Sequence, residues 1–523
     1  MSGAQAAAPA GKQGLRTATG VPEWWPLAAL IVLAAALRLG TLGLQSFWFD
    51  EAFTPVHVLH PSLAKTLDAL TKTENSPPLW YILEWVSYRL LGTGEWALRL
   101  PSALAGIALV PVAWGVGREL AGRRAALATA ALVAVGPIFV WYSQEARVYG
   151  LYALASGVAI LAFLRLLDAP GERRRAIGFA AAGAFALLTH YFTVFLLAGM
   201  FAWLLAGRAG AEARRRSAPA LGAIVLVGIA LLPLIASQGA RNTNWIGEWA
   251  LSSRLQAIPQ YFLTGYNGGA LGHGIELLVA LPLIGAAALG AWRLLEVPAG
   301  SAREEDVQHR RGAALALWLT GCGLLIPLAL ALAGADYLAP RNVLGAMVPA
   351  AALLAVLGTV PRAGRAGPAL LAIGVLGLLA ITIDTDLSPR LQRGDWRGLA
   401  RALPAGGAGR VYTAPLIGSA PLQHYIPGLR RLQPHERVQV AEIVETGEAP
   451  LPAGLVRAPA GFRLVEARRV NGLYALRFAV RGPRKLGSAP GRPLALSEER
   501  LRRYVIHRAE PWVLVPANAR TSR

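Results

Sequence analysis

The sequence predicts an α-helical polytopic membrane protein with about eleven transmembrane helices, followed by a small C-terminal α/β domain. Three observations lead there. The chain has 523 residues, of which 54% are hydrophobic and only 15% charged, with a mean hydropathy of +0.44. Soluble domains usually carry more charge. The apolar residues come in blocks near the roughly 20 residues needed to cross hydrocarbon. Short arginine clusters separate those blocks, as expected of cytoplasmic loops. These clusters account for much of the net charge of +21, so nucleic acid is not expected as a partner. The single cysteine, Cys322, lies in an apolar block. An intramolecular disulfide is therefore excluded and a cysteine metal site is not expected.

Residues 1–22 are small and polar and read as a disordered cytoplasmic tail. The apolar blocks run approximately 25–44, 99–117, 125–142, 147–167, 176–189, 191–206, 218–237, 274–294, 313–334, 343–360 and 368–384. Residues 176–206 form one apolar stretch, too long for a single untilted span, and Thr189-His190-Tyr191 interrupts it. Dividing it there places every arginine-rich connection on one side: Arg118, Arg123 and Arg124; Arg173 to Arg175; Arg208 and Arg214 to Arg216; Arg293, Arg303, Arg310 and Arg311; Arg362 and Arg365. Removing one span would invert every later loop. The N-terminus is then cytoplasmic and the C-terminal region lies outside. Residues 23–385 form the transmembrane domain and 386–523 the extracytoplasmic domain of a multi-pass membrane protein.

The first external loop, residues 45–98, contains two stretches that suit interfacial helices. One places Leu63, Leu67 and Leu70 at helical spacing; the other, Leu79 to Leu91, is rich in Trp and Tyr; Pro77-Pro78 separates them. In the C-terminal region, Phe462–Val470 and Leu473–Val480 flank Asn471-Gly472, a strong hairpin signal. Gly409–Ala414 reads as a further strand.

Ionisable residues at helix ends or in short apolar connections invite a functional reading. On the outer side these are Asp50 and Glu51 after the first helix, Glu145 and Arg147 between the third and fourth, His190 and Tyr191 between the fifth and sixth, and Asp336 and Arg341 between the ninth and tenth. Arg38 sits in the outer half of the first helix. Carboxylates and guanidiniums at one membrane surface suit a lipid-phosphate substrate. A guanidinium grips phosphate oxygens in a bidentate way, and a carboxylate accepts a proton from an attacking hydroxyl. Simpler readings stand beside this one. Asp50-Glu51 as a hydrated helix end, Glu145 and Arg147 as a turn ion pair, Arg341 and Arg38 snorkelling to headgroups, and Trp245, Glu248 and Trp249 as interface anchors all fit the pattern. Asp395 and Trp396 suit a domain junction.

Several segments resemble those of the membrane glycosyltransferases with the GT-C fold, in the branch of protein O-mannosyltransferases and lipid A aminoarabinose transferases. They are Phe47-Trp48-Phe49-Asp50-Glu51-Ala52, Glu74-Asn75-Ser76-Pro77-Pro78-Leu79-Trp80-Tyr81, Tyr142-Ser143-Gln144-Glu145-Ala146-Arg147-Val148-Tyr149, Thr189-His190-Tyr191-Phe192 and Gly394-Asp395-Trp396-Arg397. The resemblance spans roughly residues 25–400. It implies transfer of a sugar from a polyprenyl-phosphate donor to a hydroxyl of a lipid, glycan or protein acceptor, with inversion. It makes Asp50 the general base, with Glu51 orienting it or an acceptor group. Arg147 and Arg341 would hold the donor phosphate. Glu145 would fix Arg147 or touch the sugar, and His190, Tyr191 and Tyr149 would line the pocket. Many relatives carry His before the proline pair, where this chain has Asn75-Ser76. No cofactor is implied; a divalent cation, used by some GT-C enzymes, is not indicated. The rival readings are a transporter or lipid flippase, which would place ionisable groups near the midplane of broken helices, and a non-catalytic envelope scaffold.

Overall fold

The computed structural model describes residues 24–206, 210–239, 244–265, 272–403, 409–449, 458, 461–480, 494–504 and 512–522. The tail at residues 1–22, expected to be disordered, lies outside them. Each of the eleven apolar blocks falls on helix. The helices are α1 Trp25–Leu39, α2 Phe49–Phe53, α3 Leu63–Thr73, α4 Leu79–Leu91, α5 Glu95–Val135, α6 Pro137–Ser143, α7 Tyr149–Asp168, α8 Arg173–Thr189, α9 Thr193–Leu205 and α10 Ala211–Gln238. They continue with α11 Asn244–Glu248, α12 Leu251–Thr264, α13 His273–Leu295, α14 Glu304–Leu332, α15 Leu344–Gly358 and α16 Ala366–Leu387. Among the described residues, seven helices are long and apolar enough to cross a membrane, and α1 and α9 are shorter apolar helices.

Burial sorts them. About 67% of the apolar stretch of α7 and 72% of that of α15 is buried, against 22% for α10 and for α13. The first two are therefore the inner helices and the last two face lipid. The exposed face of α10 carries Leu226, Ile229 and Leu232, and that of α13 Leu278, Leu281 and Ile284. Apolar belts of this kind would not be left to water.

Two local breaks shape the bundle. The second and third blocks share α5, which folds back on itself at Ala121 and Gly122, the glycine at φ 78°. Gly117 consequently faces Ala125 and Thr129, and a Cβ there would come within 2.6 Å of the Ala125 carbonyl oxygen. The second break is at Gly136-Pro137. Pro137 has no N–H for the carbonyl of Val133, four residues earlier. Arg38, fully buried in α1, supplies the missing donors, to Val133 O at 3.0 Å and Ala134 O at 2.8 Å. Arg38 is therefore a structural cap inside the bundle, not a snorkelling residue. The long connection after α10 also contains unexpected structure, the helices α11 and α12.

α16 runs two residues past the expected domain boundary at 385. The C-terminal region then forms α17 Trp396–Ala402, β1 Arg410–Ala414, α18 Leu416–Tyr425, β2 Leu429–Arg431, β3 Arg437–Val440, β4 Glu442–Glu448, β5 Phe462–Val470, β6 Leu473–Val480, β7 Leu494–Ser497, α19 Glu498–Tyr504, β8 Trp512–Pro516 and β9 Thr521–Ser522. Six strands pair in the order β2-β8-β1-β4-β6-β5 and three as β7-β3-β9. β1 and β4 are parallel, while the β5–β6 hairpin turns on Asn471-Gly472, with Gly472 at φ 75°. One apolar cluster sits within this domain. Another joins Trp396 and Leu399 of α17 to Tyr412, Val444 and Leu473.

Candidate active site

The loop at residues 45–98 and three inter-helix connections converge beneath the C-terminal domain. α2 is only five residues long and presents Asp50 and Glu51 in its first turn, pointing them to different surroundings. Asp50 is partly exposed and accepts a 2.6 Å hydrogen bond from Arg341 Nη1. Arg341 stands on the short turn Pro340–Val343 that leads into α15. Its guanidinium lies 5.8 Å from the ring of Tyr149, which packs against Tyr142. Trp48, Trp141, Tyr142, Glu145, Arg341 and Arg393 together line a small cleft.

Glu51 turns inward and has no exposed surface. Arg99, in the first turns of α5, grips it in a bidentate pair at 2.7 and 2.8 Å, and Arg393 adds a third contact at 2.8 Å. The backbone N–H of Ala146 donates to the same carboxylate at 2.9 Å. Burial alone would raise the Glu51 pKa, but Arg99 and Arg393 outweigh it and hold the carboxyl below its ordinary value. Arg99 also donates to the carbonyls of Leu42, Gln45 and Ser46, fixing the exit from α1. Glu51 thus ties α1, α5, the 144–147 turn and the C-terminal region into one node.

Arg393 continues the node into the cleft. Its guanidinium stacks on Trp141 at 4.3 Å and on Trp48 at 5.3 Å, and lies 3.5 Å from Glu145 Oε2. Glu145 Oε1 accepts from Trp48 Nε1 at 3.2 Å. Burial, only partly offset by Arg393 and reinforced by Glu51 and Asp50, raises the Glu145 pKa to about 7. Its protonation state therefore changes near neutrality.

Arg147 occupies a neighbouring position. Both of its terminal nitrogens are engaged by Glu74, at 2.9 and 3.1 Å, and Nη1 also reaches Thr54 Oγ1 at 3.2 Å and the Asp50 carbonyl at 3.4 Å. It pins the end of α3 to α2. His190 is buried against Tyr152, with ring centroids 4.5 Å apart, and its Nδ1 accepts from the Phe192 N–H. Burial, with the charges of Arg341 and Arg147, lowers its pKa to about 3, so it is neutral at physiological pH. Tyr191 faces elsewhere: its hydroxyl donates to Gln238 of α10, which in turn donates to the Ser76 carbonyl. Asp336 forms a bidentate pair with Arg254 of α12 at 2.6 and 2.7 Å. The expected cluster is thus brought together at Asp50, Glu145, Arg341 and Tyr149, while Tyr191 and Asp336 do other work.

Three charged partners did not stand out in the sequence: Arg99, Arg393 and Glu74. Glu74 opens the segment Glu74–Tyr81 and Arg393 directly precedes Gly394-Asp395-Trp396-Arg397, which is the available signal. That motif is a junction. Asp395 caps α17 by accepting from Gly398 N, Trp396 N donates to Ser46 Oγ, and Arg397 donates to the Gly43 and Leu44 carbonyls. Among the described residues no three His, Cys, Asp or Glu side chains gather as around a metal ion.

The molecule superposes on ArnT from Cupriavidus metallidurans bound to undecaprenyl phosphate, with a TM-score of 0.50 at 13% identity over 88% of this chain and 98% of that one. The chain has the GT-C fold of membrane glycosyltransferases. Within it, residues 75–236 match the family model described as dolichyl-phosphate-mannose-protein mannosyltransferase. Other GT-C structures with similarity are the Archaeoglobus fulgidus oligosaccharyltransferase complexed with Zn and sulfate (TM-score 0.45, 15% identity, 73% of this chain and 56% of that one) and the S. cerevisiae Pmt1-Pmt2 complex bound to the sugar donor (0.34, 18%, 42% and 34%). No curated protein matches the sequence.

Proposed function

We propose that the chain transfers a sugar from a polyprenyl-phosphate-linked donor to a hydroxyl acceptor, with inversion. The observation that carries this reading is the meeting of Asp50 and Arg341 at 2.6 Å beside a cleft that also presents Arg393, Glu145 and three aromatic rings. The acceptor oxygen attacks the anomeric carbon as the bond to the phosphate oxygen breaks. The electron pair leaves on the polyprenyl phosphate, and the hydroxyl proton passes to Asp50. A single displacement inverts the anomeric centre. Arg341 and Arg393 hydrogen-bond the phosphate and stabilise it as leaving group. This assigns to Arg393, whose Nη2 stands 3.5 Å from Glu145 and lines the cleft, the contact that the family resemblance implied for Arg147, whose two terminal nitrogens both hydrogen-bond Glu74. Trp48 and Trp141 offer apolar faces to the sugar, and Glu145 reaches its hydroxyls. Glu51 is a positioning residue.

The likeness to a protein bound to undecaprenyl phosphate and the mannosyltransferase family match support a lipid-phosphate donor. The arginine-rich connections at the other helix ends support an extracytoplasmic cleft in a bacterial inner membrane, with a lipid, glycan or protein hydroxyl as acceptor. The test is purified full-length protein assayed against a panel of polyprenyl-phosphate sugars. Asp50→Asn should lower kcat by about 10²–10⁴-fold with an unchanged thermal unfolding profile. Wild-type turnover in that variant would remove Asp50 as the base, and no transfer from any lipid-phosphate sugar by the wild type would overturn the reading.

A further inference from the structure

A second polar cavity lies at the far end of the bundle. α14 links the two sites. Its C-terminal end leads to Asp336 and Arg341, and its N-terminal end, about 43 Å away for 29 helical residues, borders a cavity of about 410 Å³. Arg293, Glu296, Val297, Pro298, Ser301 and Arg362 line it.

The local sequence builds this cavity. Pro298 follows the last turn of α13 and prevents its continuation, so the chain turns at Ala299–Ser301 before α14 begins. Arg310 holds the turn open by donating to the carbonyls of Leu294 and Val297. Asp306, in the first turn of α14, accepts from Arg303 N and from Arg362 Nε at 3.0 Å, anchoring Arg362 in the wall.

Three features point to a ligand. Arg293 pairs with Glu296 through one nitrogen at 3.1 Å; its side chain is 41% exposed, but its Nε is enclosed and has no hydrogen-bond partner among the described residues. A buried donor left unmade is destabilising unless something accepts from it. The guanidiniums of Arg293, Arg362 and Arg310 face the carboxylates of Glu296 and Asp306 around the cavity, so three positive charges against two negative suit a singly charged anion better than a doubly charged one. The rim is lipid-facing: Trp292, on which the Arg293 guanidinium stacks at 4.7 Å, is 54% exposed and Leu295 is 84% exposed. Tryptophan beside arginine at a helix end marks the headgroup level, and basic pockets between transmembrane helices receive anionic headgroups.

We propose that this cavity binds the phosphodiester headgroup of an anionic membrane lipid, with Arg293 Nε, Arg362 and the Ser301 hydroxyl as donors. The apolar rim favours a lipid over a soluble phosphate, because the acyl chains would lie along Trp292 and Leu295.

The test uses the delipidated full chain in detergent, with native mass spectrometry of bound lipid. Phosphatidylglycerol, phosphatidylcholine and soluble glycerol 3-phosphate are titrated in parallel. Wild type should retain one phosphatidylglycerol at least 10-fold more tightly than phosphatidylcholine, and glycerol 3-phosphate should not displace it. Arg293→Gln should reduce phosphatidylglycerol retention at least 10-fold. Ser301→Leu, which fills the cavity without removing a charge, should do the same and serves if the arginine variant does not fold. Unchanged retention in a folded variant overturns the site. Equal competition by glycerol 3-phosphate overturns the lipid as its occupant.

Discussion

At the residue scale, the four carboxylates around the cleft have been given different environments by their partners. Glu51 is enclosed by two arginines and a backbone N–H, so it stays ionised despite complete burial. Removing Arg99 would break the bidentate half of a buried ion-pair network and leave Arg393 and the Ala146 N–H to hold the Glu51 charge, so Arg99→Ala should cost about 3 kcal/mol of stability, read as a large fall in Tm in detergent. Glu145 is the opposite case, with its pKa raised to about 7. The folded state therefore holds its proton between the ordinary carboxylate range and neutrality. Its stability contribution is largest below that window and is lost as pH rises through about 7. Glu145→Gln mimics the protonated form. It should match wild-type Tm near pH 5 and exceed it at pH 8, and a variant whose Tm deficit grows with pH would refute this sign. His190, held neutral, contributes no titration between pH 5 and 8. Asp50 and Arg341 were legible in the sequence because each is an ionisable residue among aromatic or apolar neighbours at the end of an apolar block. Arg99 and Arg393 were not, because the charge they neutralise is 48 and 342 residues away in the chain. A buried acid announces that it needs a cation; local pattern does not say which.

At the scale of elements, the apolar blocks and arginine clusters located helices well because length and hydropathy are local properties. The asparagine-glycine hairpin was legible for the same reason: the two-residue turn demands a positive φ, and Gly472 supplies it. Breaks were less legible. The turn at Ala121-Gly122 reads in sequence as a charged connection beside Arg123 and Arg124, yet it is so tight that the two halves of α5 touch at Gly117. Gly117→Ala would place a Cβ 2.6 Å from the Ala125 carbonyl oxygen and 2.6 Å from Thr129 Oγ1. Backbone oxygen cannot rotate away, so the halves must separate and the variant should lose about 1–3 kcal/mol, the usual cost of overpacking. Gly178→Ala, at a position with nothing within 4 Å of the added carbon, is the matched control, and equal Tm shifts in the two would contradict the packing argument. Helix α12 escaped notice because its Pro259 and weak apolar pattern read as loop. Its role became visible only through Arg254, which reaches Asp336 and the Leu338 carbonyl.

At the scale of the whole molecule, the C-terminal domain is more than an appendage. Among the described residues none of its strands lines the cleft, but its junction holds the segment that does. Arg393 projects into the cleft while the next four residues are fastened on both sides. Asp395 N donates to the Asn471 carbonyl at the hairpin tip, Trp396 packs on the Leu473 side of the sheet, and Arg397 binds the end of α1 and Glu95. Tyr425 closes the loop from α18, donating to Glu95 Oε1 at 2.7 Å and accepting from Phe47 N at 2.6 Å. The position of Arg393 relative to Trp48 thus depends on two separate anchors in the same domain. Loosening one should disturb the site without touching it. Trp396→Ala removes the side chain that fills the space beside Gly418 and Leu399, so the junction should slacken. The expected outcome is a kcat lowered at least 10-fold with most of the Tm retained, because the transmembrane core is a separate apolar cluster. Arg393→Lys provides the comparison: it keeps the charge but loses the fork and the stacking on Trp141, so its loss should be similar and the double variant should be little worse than either alone. Additive losses would show that Trp396 and Arg393 act independently, and the domain would then be a support for the loop rather than the means by which the cleft acquires its second arginine.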